Sequence, residues 1–151
     1  METIEPILAA HPFFKDLDPR YLKLILTCAA RETFKAGEFL CRDTEEARKF
    51  YVIHLGRVAV EIYRARRGPV VVQTLGEGEV LGWLWFDQPY HWHLDARALD
   101  LTRVISLDVE CLFKKCEQDH EFGYELMRRY AHHLAVQFRA TKAQLADFYG
   151  D

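Results

Sequence analysis

The residues best suited to ligand chemistry lie close together, between positions 83 and 94. This stretch contains all three tryptophans of the chain, one phenylalanine, one tyrosine, and His91 and His93. Such a cluster supports three alternatives, and the residues alone leave all three open. It could be an aromatic core, an apolar ligand pocket with His91 or His93 as its polar anchor, or a patch that binds a protein partner.

The two histidines also permit metal binding, because side chains two positions apart on a strand point the same way and could bind zinc or iron. Their spacing resembles the first metal motif of the cupin enzymes. However, Asp95 is the one nearby carboxylate, and the next histidines fall in a region of helical pattern. We therefore predict no resident metal or other cofactor and no catalytic residues, and we keep a cupin-like metal-dependent enzyme as an alternative.

The four cysteines, Cys28, Cys41, Cys111 and Cys116, include no CxxC pair and no paired metal-ligand spacing. The N-terminal residues include acids where a signal peptide has basic residues, and no apolar run approaches the ~20 residues of a membrane span. We expect a cytoplasmic protein without a membrane partner. In that compartment the cysteines are expected to be free, partly buried thiols.

Length and charge restrict the function further. The chain has 151 residues, half of them hydrophobic, which is enough for one packed domain. We therefore expect a single domain over 1–151. Its net charge of −3, from 20 basic and 23 acidic residues, gives no sign of a general nucleic-acid binder.

Three regions of different periodicity would position the candidate residues. Residues 1–32 show a helical pattern, in which Asp18 can cap a helix that begins at Pro19. Residues 33–107 contain short β-type runs separated by glycines and acidic turns, which favour an antiparallel barrel or sandwich. Residues 108–149 are helical again.

The last predicted helix carries an apolar stripe with nearly heptad spacing. The stripe could pack on the chain's own barrel or against a second copy, and both remain open. For the second case, the predicted dimer interface consists of Met127, Tyr130, Leu134 and Phe138.

The β region contains short motifs with a characteristic spacing. They are GEFL at 37–40, Glu45 with Ala47, FYVI at 50–53, GRVAV at 56–60, LGEGEVLG at 75–82 and ARA at 96–98. Through these motifs the chain, from Pro12 to Phe138, resembles the cyclic-nucleotide-binding domains of the catabolite-activator and protein-kinase regulatory type. The resemblance implies an α+β, mainly β fold. This fold is a double-stranded β-helix jelly roll of about eight antiparallel strands, flanked by N-terminal helices and a long C-terminal helix.

The resemblance places a phosphate-binding cassette directly after Gly82. In the family, the next residue is a glutamate that binds the ribose hydroxyl, and a later arginine binds the cyclic phosphate. Here Trp83 follows Gly82, and the arginine position falls on Trp92 or His93. No lysine or arginine lies between positions 68 and 96, whereas four acids do. Because a buried phosphate needs charge-assisted donors, we predict that cyclic AMP and cyclic GMP do not bind in the usual mode.

This altered cassette is the candidate site. Its predicted pocket residues are Gly82, Trp83, Leu84, Trp85, Tyr90, His91, Trp92, His93 and Arg97. Arg97 could face the pocket, lie in solvent or pair with Asp95.

We predict a non-enzymatic regulatory or sensing module, homodimeric through its last helix, that recognises an unknown small molecule or protein. The alternative to a ligand pocket is a protein-interaction adaptor with a dead pocket. Relatives that regulate transcription carry a DNA-binding domain after the long helix, but only about a dozen residues follow Phe138. We therefore expect no nucleic-acid partner.

Overall fold

The computed structural model describes residues 4–82 and 91–150, which form two antiparallel sheets with helices before and after them. The predicted fold class, a mainly β jelly roll flanked by helices, is confirmed. The helices are α1 (Ile4–Ala10), α2 (Pro19–Leu26), α3 (Val109–Gln118) and α4 (His120–Tyr149). The strands are β1 (Ala29–Phe34), β2 (Phe39–Cys41), β3 (Lys49–Leu55), β4 (Val58–Arg64), β5 (Gly68–Leu75), β6 (Val80–Leu81), β7 (Asp95–Ala98) and β8 (Thr102–Asp108).

Each sheet has four strands, in the orders β1-β8-β3-β6 and β2-β7-β4-β5. Strands that follow each other in sequence therefore mostly lie in different sheets, with the β3–β4 turn among the crossings. At that turn, Gly56 has a φ of +100°, and an added Cβ would lie 2.6 Å from the carbonyl oxygen of Leu101. Only glycine fits this backbone position.

The first helical region is shorter than its sequence pattern indicates. As predicted, α2 begins at Pro19, and the Asp18 side chain accepts a hydrogen bond from the Arg20 amide at 2.9 Å. However, β1 begins at Ala29 and not at residue 33. From Ala29 to Phe34 it pairs with β8 along its whole length, and this pairing overrides the local helical pattern.

Two apolar clusters hold the elements together. The helix-side cluster packs the helices on the first sheet and includes Phe13, Ile25, Leu107, Leu112 and Phe122. The barrel cluster lies between the two sheets and includes Ile53, Val58, Val60, Trp92, Ala96 and Val104. No helix in the described part of the chain has both the length and the apolar character to cross a membrane.

The cysteine prediction is wrong for two of the four residues. Cys28 and Cys111 form a disulfide between the turn after α2 and the first turn of α3, although 83 positions separate them. Sequence spacing gives no signal for such a pair, because only the fold brings the two segments together. Cys41 and Cys116 are free thiols. Burial raises the pKa of the Cys41 thiol to about 12.

A buried histidine joins the N-terminal segment to the barrel. His11 Nε2 donates to the carbonyl oxygen of Gly78 at 2.7 Å, while Nδ1 accepts from the Phe13 amide at 3.1 Å. These two bonds together require the neutral ring, because a protonated ring cannot accept at Nδ1. Burial lowers the pKa of His11, partly offset by the bond to Gly78. Nearby, the cationic Arg129 of α4 donates to the carbonyl oxygens of Phe13 and Lys15.

This arrangement predicts a pH-dependent stability. The unfolded chain protonates His11 near pH ~6.5, above its folded pKa, so acid favours the unfolded state. The free energy of unfolding should therefore fall as the pH drops below about 6.5. His11→Gln should reduce this fall, measured by urea denaturation at about pH 7.5 and about pH 5.5. The decrease should not vanish, because burial also lowers the pKa of His133.

His91→Gln, at an exposed histidine, is the matched control and should keep the wild-type pH dependence. An equal pH dependence in His11→Gln and wild type would contradict this assignment.

Candidate functional site

The backbone around Trp92 is held by a loop that precedes β3. The Trp92 amide donates to the carbonyl oxygen of Glu45 at 2.9 Å, and the Thr44 amide donates to that of Trp92 at 2.8 Å. His91 forms a β-bridge with Glu46 beside them. Both the amide and the carbonyl oxygen of Trp92 are thereby bonded to the segment 44–46.

The Trp92 side chain is buried in the barrel cluster, with 4% of its surface exposed. Its indole lies against the backbone of Gly82. A Cβ at Gly82 would lie 2.8 Å from Trp92 Cη2 and 3.2 Å from the Cβ of Phe50. Gly82 also has a φ of +102°, so its glycine is required by the backbone and by the indole. Trp92 therefore occupies the space directly above the residue at which the expected cassette begins.

The open side of this region is a surface cleft of about 400 Å³. Trp92, Tyr51 and Cys41 contribute its uncharged part, because burial raises the pKa of both the Tyr51 phenol and the Cys41 thiol. The two lysine or arginine residues of the rim are each paired with a carboxylate. The pairs are Arg48 with Glu46 at 3.2 Å and Lys49 with Glu32 at 3.0 Å.

The Arg97 side chain does not face the predicted pocket. On β7 it alternates with Ala96 and Ala98, which are fully buried in the barrel cluster, so its side chain points to the opposite face. There its Nε donates to Oε1 of the buried Glu61 at 2.9 Å. Its partner is therefore Glu61 and not Asp95. Strand alternation explains the correction.

Asp95 instead fixes the loop that holds Trp92, a role that sequence reasoning missed. Its Oδ1 accepts from the Asp43 amide at 2.7 Å and lies 3.4 Å from Nε of Arg42. The Arg42 guanidinium also covers the Phe39 ring, 4.0 Å from its centroid. The polar residues after Cys41 are typical of a turn, so the sequence could have predicted this loop. It could not have predicted that Asp95 binds the loop, because Asp95 lies far along the chain.

The remaining predicted pocket residues do not form a described cluster. His91 and His93 are exposed. Trp83, Leu84, Trp85 and Tyr90 lie outside the described residues. Within 4–82 and 91–150, no three histidine, cysteine or acidic side chains are grouped so that they could hold a metal ion.

The apolar stripe of α4 divides along the helix. Tyr130 is buried in the helix-side cluster and Leu134 packs partly against it. Met127 and Phe138 are more than half exposed. From Ala135 to Tyr149 every residue is exposed, including five large apolar side chains. The first half of the helix thus packs on its own barrel, whereas the described residues of its second half are all exposed.

The fit between Gly82 and Trp92 predicts a large effect of one methyl group. Gly82→Ala should lower the free energy of unfolding by about 3 kcal/mol, because it combines a disfavoured φ with overpacking against the indole. Urea denaturation followed by circular dichroism measures this change.

Two glycine variants separate the causes. Gly37 also has a positive φ, but an added Cβ there meets no atom within 4 Å. Gly37→Ala should therefore lower the free energy of unfolding by about 1 kcal/mol. Gly76 has no positive φ and an added Cβ there meets no atom within 4 Å, so Gly76→Ala should leave the free energy of unfolding roughly unchanged. Equal losses at Gly82 and Gly37 would show that the indole contact has no energetic weight.

Comparison with known proteins shows which family has this architecture. The family model of the cyclic nucleotide-binding domain matches residues 31–119. A cyclic nucleotide-binding domain from Methylobacillus flagellatus KT is similar, with a TM-score of 0.80, 15% identity, and coverage of 95% of this chain and 81% of that chain. No curated protein is significantly similar to this chain.

Two regulators show the same similarity. The sensor domain of the transcriptional regulator DNR from Pseudomonas aeruginosa has a TM-score of 0.72 and 15% identity, with coverage of 90% of this chain and 91% of that chain. The N-terminal domain of a transcriptional regulator from Streptomyces coelicolor A3(2) has a TM-score of 0.73 and 20% identity, with coverage of 87% and 94%. At these identities, the likeness concerns the fold.

Proposed function

Because the chain belongs to the cyclic nucleotide-binding domain family, we propose that it is a regulatory or sensing module whose nucleotide pocket is filled by its own Trp92 side chain. One observation carries the proposal: the indole of Trp92, one of the two positions (Trp92 or His93) on which the family's phosphate-binding arginine would fall, lies buried against Gly82. The proposal covers the whole chain as one cytoplasmic, non-enzymatic domain. The two regulators with the same fold support the regulatory part.

The charges around Trp92 support the loss of cyclic-nucleotide binding. A cyclic phosphate is a monoanion, and a guanidinium binds it with two charge-assisted hydrogen bonds. Here Arg97 points to the other face and is engaged by Glu61, while Arg48 on the cleft rim is engaged by Glu46. Removal of a buried charge partner costs about 2–5 kcal/mol, which is roughly a thirty- to several-thousand-fold loss of affinity.

The packing of Trp92 adds a second obstacle. A nucleotide could enter the barrel only after the indole has left it. That movement would expose the Trp92 ring and remove its contact with Gly82. Removing a buried aromatic ring from a core costs about 3–5 kcal/mol, so ligand affinity would fall by this amount in addition.

The proposal predicts that cyclic AMP and cyclic GMP produce no saturable heat in calorimetry with the wild-type protein, up to millimolar nucleotide. Trp92→Arg removes the indole and restores the guanidinium, so it should bind cyclic AMP more tightly than wild type. His93→Arg adds the same cation at the exposed neighbouring position but keeps the indole, and should bind no better than wild type.

Saturable micromolar binding by the wild-type protein would overturn the proposal, whether or not Trp92→Arg folds. Equal gains in His93→Arg and Trp92→Arg would show that the indole does not obstruct the pocket. Circular dichroism and urea denaturation establish that each variant is folded.

The second half of α4 supports a homodimer as the other part of this proposal. A short helix without tertiary contacts is marginally stable in water, so the exposed segment 135–149 needs a partner surface. Phe138 and Leu145 continue the nearly heptad stripe that packs on the barrel at Tyr130 and Leu134. A second copy of the same helix provides a complementary stripe.

Sedimentation equilibrium tests the dimer. The wild-type protein should be dimeric, and Phe138→Glu should weaken the dimer at least about tenfold by placing a charge in the apolar stripe. Ala140→Glu introduces the same charge away from the stripe and should remain dimeric. A monomeric wild type, or equal dimerisation of both variants, would contradict the helix interface.

A further inference from the structure

The disulfide between Cys28 and Cys111 lies outside the candidate site and is asymmetric in its exposure. Cys28 is buried, with 7% of its surface exposed, in the turn between α2 and β1. Cys111 is half-buried and is the third residue of α3. An attacking thiol must approach along an accessible path, so the two sulfurs are not equivalent as targets.

Cys111 also lines an open surface cavity of about 370 Å³, whereas Cys28 does not. Two lysines and two acids surround the cavity. Of these, Lys114 pairs with Glu110 at 3.3 Å, while the Asp108 side chain accepts from the Cys111 amide at 2.8 Å. The remaining lysine of the lining, Lys115, lies one turn along the same helix from Cys111. The cavity therefore gives a small thiol access to one sulfur of the bond.

We propose that the Cys28–Cys111 disulfide is a thiol-exchange site, at which low-molecular-weight thiols of the glutathione class react at Cys111. The thiolate sulfur of the small thiol attacks Sγ of Cys111, and the new bond forms as the Cys111–Cys28 bond breaks. The electron pair of the broken bond goes to Sγ of Cys28, which takes a proton from water. A second small thiol then attacks the mixed disulfide, releases Cys111 as a thiolate and leaves as the oxidised, disulfide-linked small molecule.

This bond is one of several links between α3 and the rest of the chain. The carbonyl oxygen of Cys28 accepts from the Asp108 amide at 2.9 Å, and the Val109 amide donates to the carbonyl oxygen of Arg48 at 3.0 Å. Beyond these bonds, α3 is held by the burial of Val109 and Leu112 and by the partly buried Phe113 and Cys116, which pack against the helix-side cluster. The redox state of the pair thus sets how firmly α3 is attached, and α3 leads directly into α4. This inference does not depend on whether the barrel binds a nucleotide.

Mass spectrometry tests the site in the full chain. The protein is oxidised with glutathione disulfide, repurified, exposed to excess glutathione, and alkylated under denaturing conditions. Before glutathione is added, only Cys41 and Cys116 should be alkylated. In samples taken at successive times after glutathione is added, the mixed disulfide should appear first at Cys111, with the newly alkylated thiol at Cys28, before both residues become alkylated. Alkylation of all four cysteines in the oxidised sample, or glutathione at Cys28 or equally on both, would overturn the proposal.

Thermal unfolding and hydrogen exchange test the consequence for α3. Because the bond closes a loop of 83 positions, dithiothreitol should lower the melting temperature of the oxidised protein by about 10 °C. Amides 109–118 should then exchange faster, with β3 unchanged. Cys116→Ser, on the same helix, should respond like wild type, whereas Cys111→Ser should be insensitive to dithiothreitol.

If Cys111→Ser does not fold, the comparison of oxidised and reduced wild-type protein decides the matter by itself. An equal melting temperature and equal exchange of α3 in both states would contradict the control of α3 by the disulfide.

Discussion

The indole of Trp92 rests on a glycine backbone, and the space available to any ligand of this barrel depends on that contact. Gly82 adopts a left-handed φ and leaves no room for a side chain beneath the ring. The loop 44–46 holds the Trp92 backbone from one side, and Asp95 holds the same loop through Asp43. Under the function that we propose, this one large side chain closes the nucleotide pocket of the family architecture.

A second set of contacts connects the barrel to the helices. His11 reaches the turn at Gly78, while Arg129 of α4 bonds the carbonyl oxygens of the segment after His11. On another side, the Cys28–Cys111 disulfide joins the start of β1 to α3. Among the contacts that attach the helices to the sheets, one therefore responds to protons and one to thiols. Either condition could act on α4 without a ligand in the barrel.

Local patterns predicted much of this structure, and long-range contacts account for what they missed. The cap at Asp18 and the long C-terminal helix are properties of neighbouring residues, and both appear as expected. The resemblance to the cyclic-nucleotide-binding domains predicted the jelly-roll arrangement of the strands. The Cys28–Cys111 bond and the Glu61–Arg97 pair depend on segments 83 and 36 positions apart, for which the sequence offers no spacing rule. The stripe of α4 divided because periodicity identifies an apolar face but not the surface that covers each turn.

A crystal structure of the wild-type protein grown with millimolar cyclic AMP tests the closed pocket most directly. The account predicts that the Trp92 indole stays in contact with Gly82, with no nucleotide between the two sheets. A cyclic phosphate bound inside the barrel, with the Trp92 side chain displaced into solvent, would contradict it.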